Sequence, residues 1–313
     1  MKLPRRIVIA TRESALALWQ ARHIEAQLCR LYPGLEIRLL GMTTEGDRKL
    51  GTSLAKIGGK GLFVKELEQA LSDGRADIAV HSMKDVPMRL PDGFVIAAVT
   101  SREDPRDAFV SGRYPDLASM PPGSRVGTSS LRRESQLRAR HPRLEVLPLR
   151  GNVQTRLRKL DDGEYSAVIL AAAGLRRLGL ESRITRCLTP EESLPAVGQG
   201  ALGVECLAAR TELVKLLVPL EDTDTRWCVD AERALSRALA GSCNVPLGGY
   251  AELNGDAARL RGFVASPDGR DMVADELHAT RGDDAERLGT ALADRLTVRG
   301  AQQILSALQE PPH

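Results

Sequence analysis

The stretch R-I-V-I-A-T-R-E-S-A-L-A-L-W-Q-A-R-H-I-E-A-Q-L-C-R-L-Y-P-G, Arg6 to Gly34, decides the fold class. Arg6 to Ala10 is a short apolar run of strand length. The spacing then changes. Ala17, Ala21, Ile24, Leu28 and Leu31 recur every three or four residues and predict a helix with one buried face. Pro33-Gly34 stops that helix, and Leu35 to Leu40 is the next strand.

The same alternation runs on along the chain. Asp77 to His81, Phe94 to Thr100 and Asp107 to Ser111 read as strands. Arg125 to Gly127 leads into a helix from about Leu131, and Leu144 to Leu149 into one carrying Val153, Leu157 and Leu160. Ser166 to Ala171 leads into a helix near Gly174. Short strands separated by helices predict α/β domains with largely parallel sheets.

Two segments break the pattern. Gly41 to Gly61 is a long polar loop containing Gly58-Gly59-Lys60-Gly61, and loops of that length act as lids or binding loops. The helix after it turns Phe63, Leu67, Ala70 and Leu71 inward. The last ninety or so residues begin with a long helix ending near Ala240. Strands at Tyr250–Leu253, Arg259–Ala265 and Met272–His278 follow, with a turn at Ser266-Pro267-Asp268-Gly269. A final helix buries Leu288, Leu292, Leu296, Ile304, Leu305 and Leu308 and is interrupted at Gly300. This segment reads as a small α+β domain.

Composition excludes several classes. Aromatic residues make up 3% of the chain and the net charge is +3, which disfavours a protein that stacks bases along a basic groove. The five cysteines are odd in number and form no C-x-x-C pair, and the histidines have no metal-ligand spacing. The reading is a reducing, cytoplasmic setting without metal. No apolar run reaches membrane-spanning length and no secretory h-region is visible. Arginine greatly outnumbers lysine. A GC-rich genome explains that bias as well as function does, so only the positions of the arginines carry weight.

Ligands of open α/β sheets bind at the carboxyl ends of strands, where helix N-termini point. Those ends here carry Thr11-Arg12-Glu13-Ser14, Ser82-Met83-Lys84-Asp85, Thr128-Ser129-Ser130-Leu131-Arg132-Arg133, Arg150-Gly151-Asn152 and Gly174-Leu175-Arg176-Arg177. The hydroxyls and Asn152 are also good helix caps, which is their plain explanation. Arginines in or near first turns are different, because the helix dipole disfavours cations there by a few tenths to ~1 kcal/mol each. Repeated at several strand ends, that cost predicts an anionic ligand. Asp85 is the one carboxylate of its cluster and stands among cations. It is a turn residue or a group that steadies a transient cation. Cys243, in Gly241-Ser242-Cys243-Asn244-Val245-Pro246 just past a helix, is a structural cysteine on physics alone, since a helix C-terminus disfavours thiolate.

These motifs together resemble the porphobilinogen deaminase family. They are Ala10–Gln20 (ATRESALALWQ), Gly58–Glu68 (GGKGLFVKELE), His81–Pro87 (HSMKDVP), Arg102–Ala108 (REDPRDA), Val126–Arg133 (VGTSSLRR), Leu149–Leu157 (LRGNVQTRL), Leu194–Cys206 (LPAVGQGALGVEC) and Ala240–Pro246 (AGSCNVP). The resemblance runs from about Ile7 to Leu253 and implies two periplasmic-binding-protein-like lobes with a third, smaller α+β domain. Its implied boundaries are 1–100 with 200–220, 101–199 and 221–313. The first holds Asp85 and the mobile loop, the second is arginine-rich, and the third bears the cofactor cysteine.

The resemblance implies a transferase of tetrapyrrole biosynthesis. Such enzymes deaminate four porphobilinogen molecules and join them head to tail into linear hydroxymethylbilane, on a covalently held dipyrromethane primer. Cys243 would carry that cofactor through a thioether. Asp85 would be catalytic, hydrogen-bonding pyrrole N–H and stabilising the azafulvenium-like cation formed as ammonia leaves. Lys84, Ser82, Thr128, Ser129, Ser130, Arg132, Arg133 and Arg150 would bind the cofactor. Arg12, Ser14, Gln20, Lys56, Lys60, Arg150, Arg156, Arg177 and Gln199 would bind porphobilinogen and the growing oligopyrrole. A monomer without nucleic-acid or membrane partners is expected. The alternative is a two-lobed anion-binding or sensor protein without catalysis, which leaves the Cys243 loop unexplained.

Overall fold

The structure, a computed structural model, describes residues 4–45, 64–239 and 245–308. Lys56, Lys60, Phe63 and Cys243 lie outside the described residues. The chain forms two compact units, Met1–Glu103 with Ala201–Arg226, and Asp104–Gly200 with Trp227–His313. Elements are numbered below in chain order.

The first unit is a five-stranded sheet flanked by helices. It contains β1 (Arg6–Arg12), α1 (Ala15–Leu31), β2 (Glu36–Met42), α2 (Lys65–Ser72), β3 (Ile78–Ser82), β4 (Phe94–Val99), β10 (Leu202–Leu207) and α6 (Thr211–Leu217). The strand order is β2-β1-β3-β10-β4. β1 pairs parallel with β2 and β3, and β10 runs antiparallel to both its neighbours. The one reversed strand is therefore the one that enters from a distant part of the chain. Side chains alternate across the sheet. Ile7, Ile9, Ile78, Val80, Val204 and Cys206 share a core with Ile24 and Leu28 of α1. Ala10 and Ala79, on the opposite face, pack with Leu67, Ala70 and Leu71 of α2. Leu31 departs from the expected helix face: it lies in the last turn of α1 and is exposed.

In the second unit the first sheet repeats this plan. β5 (Asp107–Val110), β6 (Arg125–Gly127), α3 (Leu131–Arg140), β7 (Glu145–Leu147), α4 (Val153–Asp161), β8 (Ala167–Ala171), α5 (Ala172–Arg177) and β9 (Arg186–Cys187) give the order β7-β6-β8-β5-β9. β6 is parallel to β7 and β8, while β5 is antiparallel to β8 and β9. The predicted, largely parallel α/β sheets are thus present, each with one reversed strand.

The smaller C-terminal domain has its own antiparallel sheet, β11 (Leu247–Asn254), β12 (Ala257–Ala265) and β13 (Met272–Thr280). Helices α7 (Thr223–Ala238), α8 (Ala285–Val298) and α9 (Ala301–Ala307) accompany it. Gly300, at φ +106°, separates α8 from α9 as expected, because an L side chain rarely adopts that conformation. Leu288, Leu292, Leu296 and Leu305 are buried, whereas Ile304 and Leu308 are only half-buried on the short last helix. No helix among the described residues is long and apolar enough to cross a membrane.

Candidate active site

In the first unit, the ends of β1 and β3 and the start of α1 meet around a pocket of about 50 Å³. Arg12, Ser14, Gln20, His81, Ser82 and Asp85 line it, and Asp85 is the one carboxylate among its lining residues. Ser14 caps α1 by accepting from the Ala17 amide at 3.3 Å, which is its structural duty. Gln20 is buried and donates through Nε2 to Ser82 Oγ at 2.8 Å, so α1 fixes the end of β3. Beyond β3 the chain turns tightly over Met83–Asp85. The buried Met83 anchors the turn; its amide donates to the Ala201 carbonyl at 3.0 Å. A Cβ at Gly203 would come within 2.3 Å of Met83 Sδ, so the glycine makes room for that anchor. Lys84 and Asp85 are left half-buried.

The second unit gathers a different set. Thr128 Oγ1 accepts from the Ser130 amide at 3.2 Å, and Ser129 Oγ donates to the Leu149 carbonyl at 2.9 Å. Ser130 is the N-cap residue of α3 but its side chain makes no capping hydrogen bond. Asn152 does cap α4, accepting from the Thr155 amide at 2.8 Å. Gly151 has φ +115°, and a Cβ there would sit 2.7 Å from Thr155 Cγ2. Arg156 folds back on this turn, its Nε donating to the Gly151 carbonyl at 2.7 Å. Arg150 is half-buried at the same turn.

Arg132 and Arg133 correct the argument from helix dipoles. Both lie in the first turn of α3, but the anion that compensates them belongs to the chain. Asp107, fully buried, accepts from Arg132 at 2.9 and 3.0 Å, from Arg133 at 2.7 and 3.0 Å, from Gln199 Nε2 at 2.9 Å and from Ser193 Oγ at 2.7 Å. Burial alone pushes the Asp107 carboxyl up. The charges and hydrogen bonds of Arg132 and Arg133 outweigh it and hold the carboxyl well below the usual range. Two guanidinium groups face one carboxylate, and the buried Arg132 Nε has no hydrogen-bond partner.

Arg176 and Arg177 need a second correction. The helix that holds them spans only Ala172–Arg177, which puts both in its last turn, where the dipole favours cations. Arg177 donates to the Gly200 carbonyl at 2.6 Å, and Arg176 pairs with Asp104 at 3.0 Å.

Asp107 and Ser193 escaped the sequence reading, although Asp107 stands in the quoted Arg102–Ala108 motif. His81 and Glu205 escaped it too. They are buried and joined at 2.7 Å between His81 Nε2 and Glu205 Oε2. A charged residue inside the apolar run Leu202–Leu207 was the available signal.

Two family models match, "Porphobilinogen deaminase, dipyromethane cofactor binding domain" over residues 7–215 and "Porphobilinogen deaminase, C-terminal domain" over residues 227–297. The porphobilinogen deaminase of Methylobacillus flagellatus is 61% identical over 313 residues, covering 100% of both chains. That of Nitrosomonas europaea is 63% identical over 308 residues, covering 98% of this chain and 100% of its own. Among solved structures, the E. coli aliphatic sulphonate binding protein matches with a TM-score of 0.41 at 13% identity, covering 76% of this chain and 71% of its own. A putative methionine-binding lipoprotein of Bacillus subtilis matches with a TM-score of 0.43 at 13% identity, covering 69% and 90%. The full-length relatives disfavour the reading as a sensor without catalysis. By these matches across the whole chain, it belongs to the porphobilinogen deaminase family.

Proposed function

We propose that Asp85 is the catalytic group with which this chain joins porphobilinogen units, and that residues at the strand ends of the α/β sheets hold the carboxylates of cofactor and substrate. The activity is that of the family: four porphobilinogen molecules are deaminated and polymerised into hydroxymethylbilane. One observation carries the assignment of the site. Asp85 is the single carboxylate in a pocket otherwise lined by a guanidinium, an imidazole, hydroxyls, an amide and apolar groups. Such a carboxylate accepts from pyrrole N–H and steadies the cation left on the methylene carbon when ammonia departs.

The family's cofactor is dipyrromethane, which supplies the pyrrole carbon on which the chain grows. The donor set fits it, since pyrrole N–H groups call for an acceptor such as Asp85 and the acidic side chains call for cations and hydroxyls. Lys84 directly precedes Asp85 in sequence, and Ser82 lines the same pocket. Thr128, Ser129, Ser130 and Arg150 offer hydroxyls and a guanidinium at the ends of β6 and β7. Arg132 and Arg133, held by Asp107, keep one excess positive charge near the start of α3, which favours bound carboxylate. Arg12, Ser14, Gln20, Lys56, Lys60, Arg156, Arg177 and Gln199 complete the substrate assignment, and Cys243 the thioether attachment. We read the molecule as three domains, a monomer, and a cytoplasmic enzyme. The three sheets support the three domains, the cysteine pattern supports a reducing compartment, and the monomer follows from the family resemblance alone.

The test is Asp85→Asn. It should lower kcat by at least about a hundredfold, the scale of a lost electrostatic stabiliser, while intact mass still shows the attached cofactor. Near-normal turnover would remove Asp85 from the role.

A further inference from the structure

Below the pocket lies a set of ionisable groups that the assignments above leave unused. Alternation along the strands puts His81 of β3 and Glu205 of β10 on the sheet face covered by α2, since Val80, Val204 and Cys206 face the other core. Gly203 stands opposite His81 and Glu205 opposite Ala79, so the two side chains meet diagonally across the strand pair. Glu205 is fully buried and His81 nearly so. From α2, Glu68 faces the same place: its carboxyl is pushed up first by burial and then by the Glu205 charge, and drawn partly back by His81. One oxygen of each carboxyl, Glu68 Oε1 and Glu205 Oε1, is shut away from solvent without a hydrogen-bond partner. The Glu205 charge bears on the half-buried Glu68 carboxyl, and a proton taken up there relieves both that repulsion and a missing hydrogen bond. At its other end this chain of groups opens on the pocket, because His81 lines it together with Ser82 and Asp85.

We propose that His81, Glu205 and Glu68 form the proton store of the reaction pocket, with His81 as the group that exchanges protons with it. Each coupling sets one proton free. The incoming aminomethyl group reacts as its ammonium form: its C–N bond breaks, and the electron pair leaves with neutral ammonia. The C–C bond forms, and the accepting ring carbon then loses its hydrogen as a proton, the C–H pair staying in the ring. That proton passes onto the imidazole, whose positive charge is matched by Glu205, and then to ammonia, which leaves as ammonium. Burial and the Glu205 charge make Glu68 easier to protonate than an ordinary glutamate, so it can take up a proton beside Glu205. Arg12 from β1 and Asp85 after β3 line the pocket with His81, Glu66 of α2 accepts from the Glu45 amide, and Cys206, on the opposite sheet face, has its thiol pushed up by burial and then by the Glu205 charge. Strand β4 contributes no ionisable side chain. The step rests on Asp85's pocket being the reaction centre.

Steady-state kinetics measured as a function of pH test this on Glu205→Gln, Glu68→Gln and Asp85→Asn, each checked by intact mass for its cofactor. Glu205→Gln should lower kcat by about tenfold or more with KM little changed, and should move a limb of the pH profile. Glu68→Gln should move the same limb with a smaller fall in kcat. Wild-type profiles in both variants overturn the proposal. So does a fall in kcat that is equal at every pH, which is what a merely structural role produces. If Glu205→Gln does not fold, Glu68→Gln decides alone. An active Asp85→Asn enzyme would instead discard the reaction centre itself, whereas an inactive one beside unmoved Glu205 and Glu68 profiles discards only the proton store.

Discussion

The carboxylate of Asp107 spans the guanidinium of Arg132, accepting from one terminal nitrogen at 2.9 Å and from the other at 3.0 Å, with both residues out of solvent. Such a pair is costly to break from one side, because the partner is left as a buried, uncompensated charge. Here two guanidinium groups would be stranded. Asp107→Asn should therefore lose about 3–5 kcal/mol of stability, read as a lower unfolding midpoint. The sign with pH follows from the depressed carboxyl. Its contribution is present above the ordinary value of 3.8 and is lost as pH falls through the lower folded value. The wild type should thus lose stability more steeply than Asp107→Asn on acidification below about pH 4.

Glu68 predicts the opposite pH dependence. Burial, then the Glu205 charge, raise its carboxyl above the ordinary 4.5. A raised acid contributes stability that is fully present below the ordinary value and lost as pH rises through the folded one. Glu68→Gln removes that loss. Thermal unfolding should show the variant more stable than the wild type at neutral and alkaline pH, with the difference closing on acidification.

Cys243 can be tested by mass. The wild-type protein should be heavier than its sequence by the equivalent of two pyrrole units, and Cys243→Ser should match its sequence mass and show no turnover. An unmodified, fully active wild type would end the thioether assignment.

Gly289 reports on packing in the C-terminal domain. A Cβ there would lie 2.2 Å from the Ala231 carbonyl oxygen and 2.7 Å from the Leu235 amide nitrogen, both backbone atoms of α7. Alanine normally favours a helix over glycine by up to about 1 kcal/mol. Overpacking costs about 1–3 kcal/mol and should win, because a neighbouring backbone cannot step aside as a flexible side chain can. Gly289→Ala should lower the unfolding midpoint, and an unchanged or higher midpoint would show that α8 can shift away from α7.

The sequence by itself determined the alternation of strands and helices, the distinct C-terminal α+β segment, the break at Gly300 and the grouping of polar residues at strand ends. Those features are local: hydrophobic period, turn chemistry and caps are set within a dozen residues. Tertiary structure decided what the charges do. Arg132 looked like a cation awaiting a solute, yet its anion is Asp107, 25 residues away in the chain. Arg177 looked like a first-turn residue because the brevity of α5 is not written in its spacing. His81 meets Glu205 across 124 residues of chain because β10 returns to pair with β3. Burial and pairing are properties of long-range contacts, and they fix whether a charged side chain is a binding group, a counter-ion or a proton carrier.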